Sequence, residues 1–182
     1  MKIFITILLN CLINVQIQAS GLPEMQIGKE NISPGITLIF EGAIKDDVAP
    51  YDLFLIEEKT DIHIEMLANW NNTAPSGSPE GGFVPYLNIT ATITDQTTEK
   101  SKTVELLPHI NMSDNFHYAQ NIQLPGLRTS KYTVLFSIDG TKMKTLGLHY
   151  DWRNMVGNEI IKPVFFSYKD LDFSRIAAAK RR

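Results

Sequence analysis

The sequence predicts an all-β fold, a single-domain, immunoglobulin-like antiparallel β-sandwich. Two observations support this prediction: apolar and polar residues alternate with a period of two in several short runs, and turn-forming residues separate those runs. A third observation is that helical periodicity is confined to a short C-terminal segment, Phe173–Ala179. The 182 residues, 43% hydrophobic and 20% charged, are enough for one domain with its own core.

The alternating runs are the candidate strands. In the run from Asp61 to Met66, apolar side chains occupy one face, and His63 and Glu65 occupy the other. In chain order the runs are Ile36–Phe40, Asp61–Met66, Leu87–Thr94, Thr103–Leu107, Tyr118–Ile122, Tyr132–Ile138 and Val164–Tyr168. The turn sequences between them include Ser33–Gly35, Pro75–Pro79, Pro125–Gly126 and Asp139–Gly140. About seven short strands separated by such turns are typical of an immunoglobulin-like sandwich.

The N-terminus has the pattern of a secretory signal peptide. Lys2 is followed by the mostly apolar stretch Ile3–Val15, and the small residue Ala19 ends the segment. The stretch is too short and too often interrupted by polar residues for a membrane-spanning helix. We therefore expect residues 1–19 to be a signal peptide and residues 20–182 to form the secreted β-sandwich domain.

The single cysteine, Cys11, lies inside this N-terminal segment. Lipoprotein anchoring through Cys11 is the alternative, but it is disfavoured because Asn10 is not a small residue and the apolar run before Cys11 is very short. Without the signal segment the chain contains no cysteine. Disulfides, thiol nucleophiles and thiolate metal ligands are then excluded.

The charge balance argues against a nucleic-acid partner. The formal net charge is −3, whereas phosphate binding needs a basic surface. The one basic cluster, Lys180–Arg182, is small and is interpreted as a solvated tail. The sequence also lacks the G-x-S-x-G and H-E-x-x-H motifs of hydrolases.

The four histidines are the candidate metal-binding residues, together with Glu65. His63 shares a strand face with Glu65, His109 and His117 flank a turn-forming segment, and His149 opens a loop. Taken singly, each is better explained without a metal. His63, His109 and His117 would be exposed polar residues, and His149 would be a partner for a neighbouring aromatic side chain. Imidazole and carboxylate together suit Cu(II), Zn(II), Ni(II) or Fe(II). Since imidazole binds metal in its neutral form, affinity is expected to fall as the pH drops through about 6.5.

Four ordered segments carry a resemblance to a known family. They are Thr60–Glu65, Pro79–Ile89, Asp114–Ile122, and His149–Asp151 with the later Val156–Gly157. Over about Pro50–Tyr168 the chain resembles the periplasmic Fe²⁺ transport accessory proteins encoded beside Ftr1-type iron permeases. The related treponemal metal-binding membrane antigen belongs to the same group.

The resemblance implies an immunoglobulin-like homodimer that binds a copper ion, with iron or manganese also possible. It implies support of ferrous iron uptake through an inner-membrane iron permease of the Ftr1 type. His63, Glu65, His117 and His149 match the metal ligands of the family. The family's remaining ligand is a methionine that follows a proline. His109 stands there in this chain, with Met112 as the alternative.

Further expectations concern second-sphere residues and function. Asp61, Asp114 and Asp151 lie near the proposed ligands in sequence and are candidates for orienting imidazoles, although turn or edge-strand positions explain them somewhat better. The expected function is non-enzymatic metal binding. The alternatives are a copper-dependent redox enzyme acting on iron and a structural β-sandwich adhesin.

Overall fold

The computed structural model describes residues 23–140 and 146–180 and confirms the predicted all-β fold. The predicted signal peptide, residues 1–19 with Cys11, lies outside the described residues. Within the described ranges the elements are β1 (Glu24–Ile32), β2 (Ile36–Ala43), a 3-10 turn (Glu57–Lys59), β3 (Ile62–Trp70), β4 (Leu87–Asp95), β5 (Ser101–Asn111), β6 (Asn115–Ile122), β7 (Lys131–Gly140), α1 (Tyr150–Met155), β8 (Val164–Asp172) and α2 (Ser174–Ala178).

All strand pairs are antiparallel, and the strand order is β1-β2-β3-β6-β5-β4-β7-β8. The long strand β5 belongs to both halves, because its first part pairs with β4 and its second part with β6. Two sheets therefore share β5. At the far edges, a Cβ on Gly28 of β1 would overlap the ring of Tyr168 of β8, so the outer strands approach closely. The sandwich is thus almost a closed barrel.

The core lies between the inner faces of the two sheets. Ile62, Ile64 and Met66 of β3 are fully buried, as the alternation predicts. Phe40 of β2 meets Phe136 of β7 across the core, with 4.4 Å between ring centroids. Burial of each such side chain stabilises the fold by about 1.5–3 kcal/mol. The apolar residues of β3 therefore anchor this strand from beneath and leave its other face for polar residues.

Each of the seven predicted runs lies in a strand, except that Asp61 immediately precedes β3. In the described ranges β1 is an additional strand that the sequence did not predict. Met25 and Ile27 obey an alternation of two, but Ile32 is out of phase with them. The register between β1 and β2 shifts at Gln26/Gly28, which marks a β-bulge. A bulge adds one residue and breaks the period-two pattern, which explains why the strand was missed.

The short helix α2 closes one end of the core. Phe173 and Ile176 are buried against Gly42 of β2, where an added Cβ would lie 3.0 Å from Ile176 and 3.2 Å from the ring of Phe173. The predicted C-terminal helical segment is thus confirmed. Among the helices of the described ranges, none has the length and apolar character needed to cross a membrane.

The connection between β2 and β3, residues 44–60, folds over the outer face of the first sheet, and we call it the cover segment. Its end is anchored by Thr60, whose hydroxyl donates to the carbonyl of Ile56 at 2.8 Å and to that of Leu55 at 3.3 Å. Phe54 of this segment is itself buried. The cover segment thus encloses polar side chains that an uncovered sheet would leave in water.

Candidate metal centre

Strand register brings four of the predicted ligands onto one sheet face. His63 and Glu65 point outward from β3, opposite to its buried apolar residues. β6 pairs with β3 so that Asn121 lies opposite His63. β5 pairs with β6 so that His109 lies directly opposite His117. Three adjacent strands therefore contribute to one cluster beneath the cover segment.

The side chains of this cluster converge. The ring centroids of His63 and His109 are 5.2 Å apart, those of His109 and His117 5.6 Å, and those of His63 and His117 6.4 Å. Each histidine offers one nitrogen, and these nitrogens lie within 4.8 Å of one another. Glu65 Oε2 is 3.6 Å from His117 Nε2 and 3.9 Å from His63 Nε2. A metal ion bonded at about 2 Å to each nitrogen would fit after small side-chain shifts.

The cluster is buried. Glu65 and His117 are 3% and 1% exposed, and His63 and His109 are 6% and 9% exposed. The edge of the Phe54 ring packs against His109, with 4.6 Å between centroids and an interplanar angle of 81°. A cavity of about 320 Å³ adjoins the cluster. The acidic residues that line this cavity besides Glu65 are Glu24, Asp46, Asp47 and Asp114.

Hydrogen bonds hold two of the three imidazoles by Nδ1. His63 Nδ1 is 2.8 Å from the side-chain oxygen of Asn121. His117 Nδ1 donates to the backbone carbonyl of Asn115 at 3.1 Å, because a carbonyl can only accept. The Nε2 lone pair of His117 therefore faces the cluster. His109 Nε2 is buried without a hydrogen-bond partner among the described residues. An unpartnered buried nitrogen beside two others fits a metal ligand set.

Burial shifts the pKa values of these groups in opposite directions. It lowers the pKa of His63 to about 4 and that of His109 to about 3, and it also lowers the pKa of His117. Burial, followed by the negative charge of Asp114, raises the pKa of Glu65 to about 8. At pH 7 the three imidazoles are thus neutral and the Glu65 carboxyl is protonated. The Glu65–histidine contacts, too long for hydrogen bonds, are then not ion pairs either.

These shifts change the expected pH dependence of metal binding. The expectation of a histidine titration near pH 6.5 is wrong, because the buried imidazoles stay neutral well below that pH. The group that titrates near neutrality is Glu65, which must lose its proton to bind a cation. A cation bound through Glu65 at pH 7 would therefore displace a proton from its carboxyl group.

Of the two candidates for the variable ligand, the structure brings His109 to the cluster and leaves Met112 fully exposed at the tip of the β5–β6 hairpin. His149 lies elsewhere. It is exposed at the N-terminus of α1 and lines an apolar pocket with Trp70 and Trp152 rather than the cavity of the cluster. Among the described residues of this chain, the candidate centre therefore consists of three histidines and one glutamate.

The three aspartates proposed as imidazole-orienting residues make other contacts. Asp61 accepts hydrogen bonds from the Arg128 side chain at 2.6 Å and from the backbone nitrogen of Leu124 at 2.9 Å. Asp114 accepts one from a hairpin asparagine and acts on Glu65 and His117 through its charge. Asp151 accepts a hydrogen bond from the backbone nitrogen of Trp152 at 2.7 Å. In the described part of the chain, none of them hydrogen-bonds an imidazole.

Asn121 is the residue near the site that sequence reasoning missed. It holds His63 and is itself 3% exposed. A signal was present: Asn121 follows His117 by four residues in the same strand, so the two side chains share a face. The pairing partner of that strand could not be read from the sequence, and the contact with His63 depends on it.

Comparisons with known proteins identify the family. A family model described as "Fe2+ transport protein" matches residues 21–174, most of the chain. The chain belongs to this Fe²⁺ transport protein family. The 34 kDa membrane antigen of Treponema pallidum is 30% identical over 120 residues, 64% of this chain and 57% of the antigen, so the match spans little more than half of that relative. A UPF0423 protein of Brucella abortus is 24% identical over 147 residues, 80% of each chain.

Solved structures of similar proteins agree with the fold. A copper-bound variant of Campylobacter jejuni P19 superposes with a TM-score of 0.70 at 25% identity, covering 81% of this chain and 96% of P19. FetP of uropathogenic Escherichia coli superposes with a TM-score of 0.69 at 25% identity, covering 82% of this chain and 96% of FetP. The family resemblance and the sandwich fold predicted from the sequence are both confirmed. A transport family agrees with the predicted non-enzymatic role.

The opposed pKa shifts predict a stability maximum of the metal-free protein near pH 6.5. Below pH 6.5 these histidines are protonated in the unfolded chain, whereas His63 and His109 stay neutral in the folded protein. Protonation therefore favours the unfolded chain, and stability falls as the pH drops. Between pH 6.5 and 8 the folded Glu65 keeps a proton that the unfolded chain has lost, so stability falls as the pH rises, by up to about 1.4 kcal/mol per unit. Urea unfolding at a series of pH values measures this curve.

Glu65→Gln is the matched control for this curve. It keeps the size and neutrality of the protonated carboxyl, so its stability should stay level between pH 6.5 and 8 while the decrease below pH 6.5 remains. A wild-type curve that rises steadily up to pH 8 would contradict the assignment of the proton to Glu65.

Proposed function

We propose that this protein is a periplasmic metal-binding protein that supports high-affinity ferrous iron uptake through an inner-membrane iron permease of the Ftr1 type. The observation that carries the proposal is the convergence of three buried, neutral imidazoles and Glu65 beneath the cover segment. Membership of the Fe²⁺ transport protein family supports the role in iron uptake.

Copper is the ion that we assign to the cluster. His63, His109 and His117 would hold it, with Glu65 as a further ligand after loss of its proton. Imidazole nitrogens bind copper most strongly among the common divalent ions. The copper-bound variant of the related P19 supports this assignment. Such a site would supply a fixed positive charge in an otherwise neutral, enclosed cluster.

Iron or manganese ions are proposed as the second kind of cation that the protein handles. Carboxylate oxygens suit these harder ions better than they suit copper. The acidic side chains of Glu24, Asp46, Asp47 and Asp114 line the cavity beside the histidines. Their negative charge would attract divalent cations to the cavity before transfer to the permease.

The periplasmic location rests on residues 1–19 as a signal peptide and on the relatives. The FetP preparation whose structure was solved was expressed in the periplasm of E. coli. Export would leave a domain of residues 20–182 without cysteine, and the metal site then depends on imidazole and carboxylate groups. The mature domain would deliver its cation to the outer side of the permease.

A homodimer reconciles His149 with the proposed ligand set. His149 is exposed and lies outside the cavity formed by His63, His109 and His117 of its own chain. If it is a ligand, the simplest arrangement is that it reaches the cluster of a second copy. Exposed apolar side chains are available for such an interface, including Leu53, Ile110, Met112 and Phe116 near the cluster and Tyr150 beside His149.

Removal of two imidazoles should abolish tight copper binding. Wild type is expected to bind one Cu(II) per chain, and His63→Ala combined with His117→Ala should weaken binding by more than about a hundredfold, since loss of outer-sphere partners alone costs about 10- to 100-fold. Competition with chelators of known affinity measures this. The control is Met112→Leu, which should bind like wild type; equal binding by the double variant would refute the site.

Complementation tests whether His149 acts on a second copy. In a mixed dimer of His117→Ala and His149→Ala chains, ligands shared between copies leave one complete site per dimer, because the His149→Ala chain receives His149 from its partner. Ligands confined to one chain leave no complete site. We expect one high-affinity Cu(II) per purified mixed dimer, counted by titration. None per mixed dimer, with both parent variants impaired, would contradict the shared arrangement.

His109 is expected to set the preference between copper oxidation states. A thioether is softer than imidazole and favours Cu(I). His109→Met should therefore raise the affinity for Cu(I) and lower that for Cu(II). The substitution replaces the unpartnered Nε2 of His109 with a thioether sulfur. Affinities of both ions, measured with oxidation-state-specific chelators, check this. Unchanged affinities for both ions would show that His109 is not a ligand.

A further inference from the structure

Asn121 is a buried side chain whose polar atoms are all engaged. Its side-chain oxygen lies 2.8 Å from Nδ1 of His63. Its side-chain nitrogen donates to the backbone carbonyls of Asp46 at 2.7 Å and Leu55 at 2.8 Å. Both carbonyls belong to the cover segment, and they lie nine residues apart in sequence. One amide group thus connects the cluster to the segment that encloses it.

These contacts determine which way the amide of Asn121 points. The carbonyls of Asp46 and Leu55 can only accept hydrogen bonds, so the NH₂ group must face them. The amide oxygen is then left facing His63. This oxygen can also only accept, so Nδ1 of His63 must carry the proton. Two backbone carbonyls therefore dictate, through one amide, the protonated nitrogen of an imidazole.

We propose that Asn121 is a positioning residue that sets the tautomer of His63. With the proton on Nδ1, the Nε2 lone pair points into the cluster, where Glu65 Oε2 lies 3.9 Å away. The opposite tautomer would aim a proton at the site and leave the lone pair towards the amide. The proposal rests on the proposed function, because a metal ion needs that lone pair.

The same contacts tie the tautomer to closure of the site. Phe54, whose ring packs on His109, lies in sequence between Asp46 and Leu55, whose carbonyls accept from Asn121. Loss of the amide would therefore release both the imidazole and the segment above it. Thr60 also anchors this segment, through Leu55 and Ile56, but has no hydrogen bond to His63 among those described. Thr60→Val is therefore a control that loosens the cover segment but leaves the amide of Asn121, which accepts the Nδ1 proton of His63, in place.

The test is nitrogen-15 NMR of the metal-free protein, labelled at histidine, at pH 7. Long-range proton–nitrogen correlations report which imidazole nitrogen carries the proton. Wild type and Thr60→Val should both show His63 protonated on Nδ1. Asn121→Leu, of similar size but unable to accept, should lose this uniform state. Asn121→Asp retains an acceptor without the two donors, so it should keep the Nδ1 proton. If Asn121→Leu does not fold, Asn121→Asp still tests the proposal, because it must keep the Nδ1 proton.

Two further measurements distinguish an effect on the tautomer of His63 from an effect on closure of the cover segment. Amide exchange of Phe54, whose N–H bonds the carbonyl of Pro50, should quicken in all three variants. Cu(II) affinity should fall about 10- to 100-fold in Asn121→Leu and stay near wild type in Thr60→Val.

An Nδ1 proton retained on His63 in Asn121→Leu would overturn the proposal, as would loss of that proton in Asn121→Asp. Equal loss of affinity in Thr60→Val and Asn121→Leu would also overturn it, because closure would then explain the effect. The tautomer is measured without metal. If it changes as expected but wild type binds no copper, the proposed function fails and the role of Asn121 in setting the tautomer stands.

Discussion

The antiparallel register of β3, β6 and β5 is the constraint on which the candidate site depends. Successive side chains in a strand point to opposite faces, so a slip of one residue would turn every ligand of that strand into the core. The buried apolar residues of β3, such as Ile64, fix this register from beneath. Formation of the core therefore also places His63 and Glu65, and the pairing of β5 with β6 places His109 beside His117.

Burial gives the cluster its chemistry. The cover segment converts an outward-facing polar surface into an enclosed one, which makes charge costly. The imidazoles are neutral as a result, and Glu65 holds a proton that a cation bound there would displace. Because both kinds of group are uncharged, the cluster avoids the electrostatic cost of a buried charge. Asp114 and the other acidic residues of the cavity supply the negative potential that favours a cation.

Much of the fold and part of the site could be predicted from the sequence, because both depend on local patterns. Period-two alternation located seven of the eight strands in the described ranges, and the bulge at Gln26/Gly28 concealed β1. Alternation also placed His63 and Glu65 on the non-core face. The choice between His109 and Met112 could not be made locally, since both follow the same proline within a short distance. Strand pairing brought His109 to the cluster and left Met112 exposed to solvent.

The sequence by itself determined the order of seven strands along the chain, the family and the types of ligand available. Tertiary structure decided which of these residues meet: His63 with Asn121 from a strand far along the chain, and not with the neighbouring Asp61, which binds Arg128. It also decided the pKa values, since the ligands are buried only when the cover segment folds over the sheet face. The physical reason is the same in each case. Alternation and motif spacing are local properties, whereas contact and solvent exclusion depend on segments that only the folded chain brings together.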